Sequence, residues 1–468
     1  MLKNKVKTKL PLDLGLIHFI GIGGIGMSGI AELLLNLGYK VSGSDLKNTQ
    51  IISRLKKLGI PIQLGHNIEN IFYADIVVIS SAIDLKNIEL CEARKRSIPV
   101  VRRSEMLAEL MRLKSNIAIA GTHGKTTTTS MVAAVLEAGE LDPTVINGGI
   151  IQAYGTNARL GTGDWVVVEA DESDGTLIKI PSTIGVITNL DPEHLDYYGN
   201  FDNLKKTFLE FLGKIPFYGV GICCHDHPVL QELISQVKDR RILTYGFTEE
   251  ADFVIKNLYY SGEMAHFNVY IKPKDSTLSL ELPMYGDHNV SNATAAVAIA
   301  HYLDINSLSV IYALRHFKGV KRRFTKVCNW RGIDIIDDYA HHPVEIRAVL
   351  SAARKYTEGR VIAVHQPHRY SRLNSLMTEF CSCFYDADIV GIMPVYAAGE
   401  LPIKGVTAEE LVSRLNYEND IATFVKDEVD LRDFVKEHGR EGDILVCLGA
   451  GSISQWVNSL PELLSEEN

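Results

Sequence analysis

The chain has 468 residues, 46% hydrophobic and 22% charged, with a formal net charge of −9. That length exceeds what one hydrophobic core organises and implies several domains, and the acidic balance argues against a general nucleic-acid binder while leaving room for a local Lys/Arg cluster around a small anion. No apolar run approaches the ~20 residues of a membrane span, and seven cysteines without framework spacing fit a reducing compartment, so the expected location is the cytoplasm.

The chain opens with Lys3, Lys5, Lys7 and Lys9 ahead of an apolar segment, as secretory leaders do. Asp13 and His18 interrupt that segment and no A-x-A site follows, so secretion is not expected. From residue 16, "LIHFIGIGGIGMSGIAELLLNLGYKVSGSD" reads as strand, Gly21-x-Gly23-x-x-Gly26, helix, strand and Asp45. This is the dinucleotide-binding fingerprint, a tight turn (Gly24 included) whose amides face a diphosphate. The next strand, "DIVVISSA", ends on Ser80 and Ser81, small polar residues at a carboxyl end. Taken alone, the first hundred residues would support an NAD-dependent oxidoreductase. The segment "RRSEMLAELMRLKSN" then reads as a helix polar enough to bridge into a second unit.

That unit starts with the buried strand "NIAIAG", which runs into Gly121-Thr122-His123-Gly124-Lys125-Thr126-Thr127 and the helix "SMVAAVLEAG". A strand before and a helix after are the context of a phosphate-binding loop, here shortened, since Ile119 stands where the strict G-x4-G-K-[ST] spacing wants glycine. Backbone N–H groups at the helix N-terminus point at the anion, and the dipole adds to the attraction. Lys125 is expected at the β/γ-phosphates of ATP and the Thr126 hydroxyl on Mg2+. Acidic help for the metal is expected from "DWVVVEADESD", where Glu169 and Asp171 leave a strand, or from "ITNLDPEHLD" with Asp191, Glu193 and His194. "CCHDH" (from Cys223 to His227) reads as a strand-to-loop transition, and Cys381-x-Cys383 has no partner pair at zinc spacing, so neither is expected to hold metal.

In "GDHNVSNATAA", Asn289 or Ser291 can cap a helix. After "GVKRRF" the alternation restarts with "GIDIIDDYA", "RVIAVHQP", "DIVGIMP" and "DILVCLGAGS". "DDYAHHPVEI" places Asp337, Asp338, His341 and His342 where a strand ends and a helix begins, either a reactive group or one cap with two surface histidines. The alternation predicts three α/β units, 1–112, 113–320 and 321–468, with mostly parallel sheets.

In their order, GTHGKTTTT, VEADESD, NLDPEHLD, GDHNVSNATAA, RRF, DDYAHHP and HQPHRYSR resemble the motifs of the Mur ligases, and the likeness covers nearly the whole chain. It implies an α/β protein of three domains: a Rossmann-like N-terminal domain for a UDP-substrate, a P-loop ATPase-like central domain, and a Rossmann-like C-terminal domain that closes over the site. The implied chemistry is ATP-dependent peptide-bond formation through an acyl phosphate, in which charge builds up and cations with pre-oriented donors are needed. GIGGIGMSGIAE and HQPHRYSR resemble the branch that joins free L-alanine to the lactyl carboxylate of UDP-N-acetylmuramate. The alternative within the family attaches a recycled tripeptide to the same sugar acid.

The resemblance also implies roles. Gly21, Gly23, Gly24, Gly26, Asp45, Ser80 and Ser81 would take the UDP-substrate. Gly121 to Thr127 would take the ATP phosphates, with Lys125 on the γ-phosphate and His288 and Asn292 on adenine. Thr126, Glu169 and His194 would serve Mg2+, Glu169 being preferred to Asp171 as the first carboxylate after the strand. Arg323 would reach the γ-phosphate from the C-terminal domain and tie catalysis to closure. Asp338 or His341 would help deprotonate the incoming ammonium, since only the free amine is a nucleophile. Tyr339, His368, Arg369 and Arg372 would hold the alanine carboxylate and the muramoyl group. The carbamylated lysine of later-acting family members has no assigned counterpart, although Lys205 and Lys206 stand nearby. Neither a nucleic acid nor a membrane is an expected partner, and a monomer or weak homodimer is expected.

Overall fold

The computed structural model describes residues 14–80, 82–111, 114–173, 175, 177–417 and 421–465. The lysines of the amino-terminal segment, Asp13, Ser81 and the expected boundary at 112/113 lie outside the described residues. By its internal contacts the chain falls into two units: Met1–Asn257 with Asn268–Leu280 and Ser291–Lys318, and Leu258–Phe267 with Glu281–Val290 and Gly319–Asn468. The architecture is α/β with three sheets.

The first sheet, in the first unit, has five strands in the order Ile62–Leu64, Lys40–Asp45, Leu16–Ile20, Ile76–Ile79, Val100–Arg102, all parallel. Ile17, Phe19 and Ile20 have no solvent exposure, the mark of a strand covered on both faces. The strand order reverses at Leu16–Ile20, so the crevice beyond its carboxyl end is a topological switch point, where open α/β sheets bind ligands. Gly21 and Ser80 leave the two neighbouring strands there. The expected bridging helix is present as Arg103–Met111, between the last strand of this sheet and Ser115–Ala120, but it is packed rather than polar. Met106, Leu107, Leu110 and Met111 recur at three- and four-residue spacing and are buried, so its apolar face outweighs its charges.

The second sheet has ten strands. The strand Ser115–Ala120 is flanked by Ile184–Ile187 and Trp165–Glu169, parallel to both. Whatever leaves these three carboxyl ends therefore meets the turn that starts the helix Lys125–Ala138. "CCHDHP" is a strand-to-loop transition, with Val220–Cys224 as the strand. The segment "GDHNVSNATAA" differs from expectation. Its helix spans Asp287–Tyr302, so Asn289 and Ser291 lie inside it and neither caps it, and Asn289 Nδ2 donates to the Tyr285 carbonyl at 2.7 Å.

The third sheet, in the second unit, runs in the order Thr325–Trp330, Ile333–Asp338, Ile444–Leu448, Val361–His365, Ile389–Ile392, Ala422–Phe424, with only the first pair antiparallel. Apolar clusters cover both faces, one around Leu350, Phe380 and Leu411, the other around Val364, Leu431 and Val457. Asp338, Gln366 and Gly449 all lie at the same carboxyl edge.

Candidate active site

The glycine turn of the first sheet is built on the end of the adjacent strand. The N–H groups of Gly21 and Ile22 both donate to the Ser44 carbonyl, at 2.9 and 3.0 Å. Asp45 accepts from Gly23 N at 2.8 Å and from Lys47 N at 3.1 Å. A Cβ on Gly23 would stand 2.8 Å from the Asp45 carboxylate, which is why that position must be bare. Both Asp45 oxygens are thus engaged in shaping the turn. The guanidinium of Arg103 packs against Gly26 and lies 3.7 Å from Asp171.

In the phosphate loop, Gly124 takes φ 81° as the N-cap of the helix Lys125–Ala138, a left-handed conformation that a side chain would strain. A Cβ there would also lie 2.8 Å from Asn292 Oδ1, so Asn292 borders the loop. His288 precedes it by one turn of the same helix, and burial pulls the His288 imidazole down to about 4. Residues from the neighbouring strand end brace the loop from the other side. Asn189 accepts from His123 N at 2.7 Å, Thr122 Oγ1 accepts from Asp191 N at 2.8 Å, and His123 Nε2 lies 3.4 Å from Asp191 Oδ2. Thr127 is buried in the first turn of the helix.

Lys125 Nζ donates to the carbonyls of Gly121 and Thr122, at 2.6 and 3.1 Å, and to Glu172 Oε1 at 2.9 Å. Burial alone would lower the Lys125 pKa, but the carboxylates of Glu172, Asp171 and Glu169 outweigh it and raise the pKa above its ordinary value. Burial raises Glu172 in turn, against the pull of Lys125. Thr126 Oγ1 donates to Glu169 Oε2 at 2.9 Å, and Gly148 N donates to the same oxygen at 2.8 Å.

Of the three expected magnesium residues, the structure therefore joins Thr126 to Glu169 and places His194 in a different group. His194 Nε2 lies 3.6 Å from Glu172 and 3.8 Å from Glu193. Ligand atoms of these three residues lie within 4.8 Å of one another. Among the described residues, Glu172 Oε2 is buried with no hydrogen-bond partner. Carboxylate and hydroxyl oxygens with one imidazole suit a hard divalent cation, and the orphaned Glu172 oxygen fits one. Glu193 was one of the acids that ITNLDPEHLD offered for the metal, whereas Glu172 was not among the expected ligands. The available signal for Glu172 was one further acid in VEADESD, with nothing to rank it above its neighbours.

The third group belongs to the second unit. Asp338 is buried, its two oxygens accepting from Phe324 N and Ala340 N, both at 2.7 Å. Burial pushes its carboxyl up to about 6, against Arg323 and those N–H groups. Arg322 (φ 61°) and Phe324 (φ 49°) flank Arg323 in the left-handed region, strain that the Asp338 contact helps hold. The Tyr339 ring lies under the guanidinium groups of Arg322 and Arg323, at 4.7 and 5.2 Å. His341 Nδ1 stands 3.3 Å from Glu345, and the His341 ring meets His368 edge-on at 5.6 Å. His368 stacks on Tyr396 at 5.4 Å, and Arg372 Nη1 donates to its Nδ1 at 3.3 Å. Burial, with His341 and Arg372 nearby, pulls His368 down to about 3 and keeps it a neutral acceptor. Arg369, at φ 71°, donates its N–H to the Tyr396 carbonyl at 2.9 Å. His342 is no surface residue: it is buried and caps the helix Pro343–Tyr356 in a capping box with Glu345.

A glycine turn at a Rossmann-type switch point, a phosphate loop backed by acids and an Arg/His cluster on a third α/β sheet agree with the motifs of the Mur ligases, and this chain belongs to the Mur ligase family. The family's descriptions match in chain order: "Mur ligase family, catalytic domain" over residues 16–115, "Mur ligase middle domain" over 119–300, and "Mur ligase, glutamate ligase domain" over 322–451. The chain is 58% identical over 461 residues to the UDP-N-acetylmuramate–L-alanine ligase of Roseobacter denitrificans, 98% of each chain being covered. It is 57% identical over 465 residues to the enzyme of that name from a Jannaschia species, covering 99% of this chain and 98% of the other. Among solved structures it resembles the UDP-N-acetylmuramate–alanine ligase of Thermotoga maritima, with a TM-score of 0.83, 30% identity, and coverage of 97% of this chain and 100% of the other.

Proposed function

We propose that this chain joins L-alanine to the lactyl carboxylate of UDP-N-acetylmuramate at the expense of ATP, releasing ADP and phosphate. The observation that carries the reading is its 58% identity to a UDP-N-acetylmuramate–L-alanine ligase across 98% of both chains. The geometry supports it. Residues 1–112 take the UDP-substrate, the turn from Gly21 to Gly26 facing the diphosphate. Residues 113–320 take ATP, Lys125 and the loop amides holding the phosphates. Residues 321–468 supply Arg323 for the transferred phosphoryl group, and Tyr339, His368, Arg369 and Arg372 for the amino acid and the muramoyl end.

Phosphoryl transfer makes the carboxylate an acyl phosphate. The alanine amine attacks it, the ammonium having lost a proton, and the tetrahedral intermediate expels phosphate. For that proton we take His341, whose Nδ1 lies 3.0 Å from the Tyr339 carbonyl, over Asp338, which is buried with both oxygens accepting backbone N–H groups. Glu169 with Thr126, and Glu172 with Glu193 and His194, would hold Mg2+, which supplies positive charge against the phosphates. The likeness to a UDP-N-acetylmuramate ligase removes the basis for a nicotinamide reading of GIGGIG. No helix among the described residues is long and apolar enough to cross a membrane, and the cytoplasm, where ATP is available, is the proposed setting. Incubation with ATP, Mg2+, UDP-N-acetylmuramate and L-alanine should give a UDP-sugar heavier by one alanyl residue. If the sugar's mass is unchanged while ATP is consumed, the reading is wrong.

A further inference from the structure

Beneath the glycine turn lies a buried polar cluster that the chemistry above does not use. Glu89, the second residue of the helix Ile88–Lys95, has no solvent exposure. Its Oε2 accepts from the Ser44 hydroxyl at 2.6 Å and lies 3.3 Å from His66 Nδ1 and 3.6 Å from His18 Nε2. Its Oε1 accepts from Asn70 Nδ2 at 2.6 Å and from Asn67 N at 3.1 Å. Burial raises the carboxyl, but contacts with His18, Ser44, Asn70 and Asn67 outweigh it and bring the group to about 2, so it stays ionised. A buried carboxylate is costly, and packing alone would be served as well by an apolar side chain.

The partners of Glu89 show what it organises. Ser44 is the residue whose carbonyl receives both Gly21 N and Ile22 N, and its neighbour Asp45 receives Gly23 N. On the next strand end, Gly65 N donates to the Asp45 carbonyl at 2.8 Å, and Asn70 Nδ2 reaches the Gly65 carbonyl at 3.2 Å. One carboxylate therefore ties together two loops, 21–24 and 65–67, on the carboxyl edge of the first sheet at its switch point. We propose that Glu89 is a positioning residue for the UDP-substrate: through Ser44, His66 and Asn67 it fixes the loops that receive the nucleoside diphosphate. This inference rests on the function proposed above.

The test is Glu89→Gln, which keeps the shape and removes the charge, together with Ser44→Ala, which keeps the carbonyl and removes only the hydroxyl. Each should raise the KM for UDP-N-acetylmuramate on the order of tenfold, the scale of one charge-assisted contact. The kcat at saturation and the KM for ATP should stay within about twofold, a split that general destabilisation would not produce. Should Glu89→Gln fail to fold, Ser44→Ala decides. Calorimetric binding of UDP-N-acetylmuramate separates the role of Glu89 from the function of the whole chain. A wild-type protein that does not bind it overturns the reading of function, and this proposal with it. A wild type that binds it, with variants that bind it as tightly or that lose ATP affinity in parallel, overturns only the proposal.

Discussion

Replacing Lys125 by methionine removes the cation from a pair whose side chains are 12% and 1% exposed and 2.9 Å apart. Breaking a buried pair by deleting one partner costs about 3–5 kcal/mol, because the other charge stays buried and uncompensated. In a unit of this size each kcal/mol moves Tm by ~2–4 °C, so a fall of roughly 6–20 °C is expected. The loss has a pH dependence of known sign. The Glu172 carboxyl is already raised above 4.5 by burial, and losing Lys125 raises it further. The folded variant therefore holds a proton that the unfolded chain releases, and its stability falls as pH rises from 4.5 through the folded pKa. The deficit should be small at acidic pH and full at alkaline pH. Calorimetric Tm at both pH values is the assay, with phosphate release measured alongside.

Activity should fall by at least ~10²–10³, the scale of one pre-oriented donor in a charged transition state. The double variant Lys125→Met/Glu172→Gln removes the stranded charge, and should regain most of the Tm and none of the activity. An equal Tm loss at both pH values, with no recovery in the double variant, would refute the coupling of Lys125 to Glu172. Activity within tenfold of wild type would refute the placement of Lys125 on the phosphates.

Gly124→Ala puts a Cβ 2.8 Å from Asn292 at φ 81°; ATP binding by calorimetry should be lost while UDP-N-acetylmuramate binding stays within about twofold, and retained ATP binding would contradict the loop assignment. Asp338→Ala leaves the N–H groups of Phe324 and Ala340 without their acceptor. Urea denaturation should show a loss of about 2 kcal/mol, less than two orphaned donors suggest, because the charged carboxyl is itself disfavoured by burial. Glycine in place of L-alanine should lower kcat/KM by roughly 10–200-fold in competition assays, since a pocket reading one methyl group gains only ~1–3 kcal/mol.

The strand–turn–helix units were legible because each is written locally: an apolar run, glycines at the turn, then a helical period. That is why the turn from Gly21 to Gly26 and the loop from Gly121 to Thr127 stand at the carboxyl ends of parallel strands. The choice among acids was not legible. Glu169, Asp171 and Glu172 are nearly consecutive, and only a partner 47 residues away, Lys125, shows that Glu172 is the buried one. His194 likewise joins Glu172 rather than Thr126 because separate strand ends converge, a matter of sheet order and not of motif. At 287–291 a capping pattern misleads: the helix begins at Asp287, so Asn289 and Ser291 fall inside its first turns. DDYAHHP left open whether its histidines were reactive or on the surface, and His342 is neither, being a buried cap.

ATP cleavage here serves an amine-dependent ligation on UDP-N-acetylmuramate. Phosphate release with ATP, Mg2+ and that sugar, supplied in turn with no amine, L-alanine, glycine, L-serine and the recycled tripeptide, tests it most directly. Sustained release is expected with L-alanine, weaker release with glycine or L-serine, and almost none without an amine or with the tripeptide. Release that needs no amine, or that occurs only with the tripeptide, would contradict it.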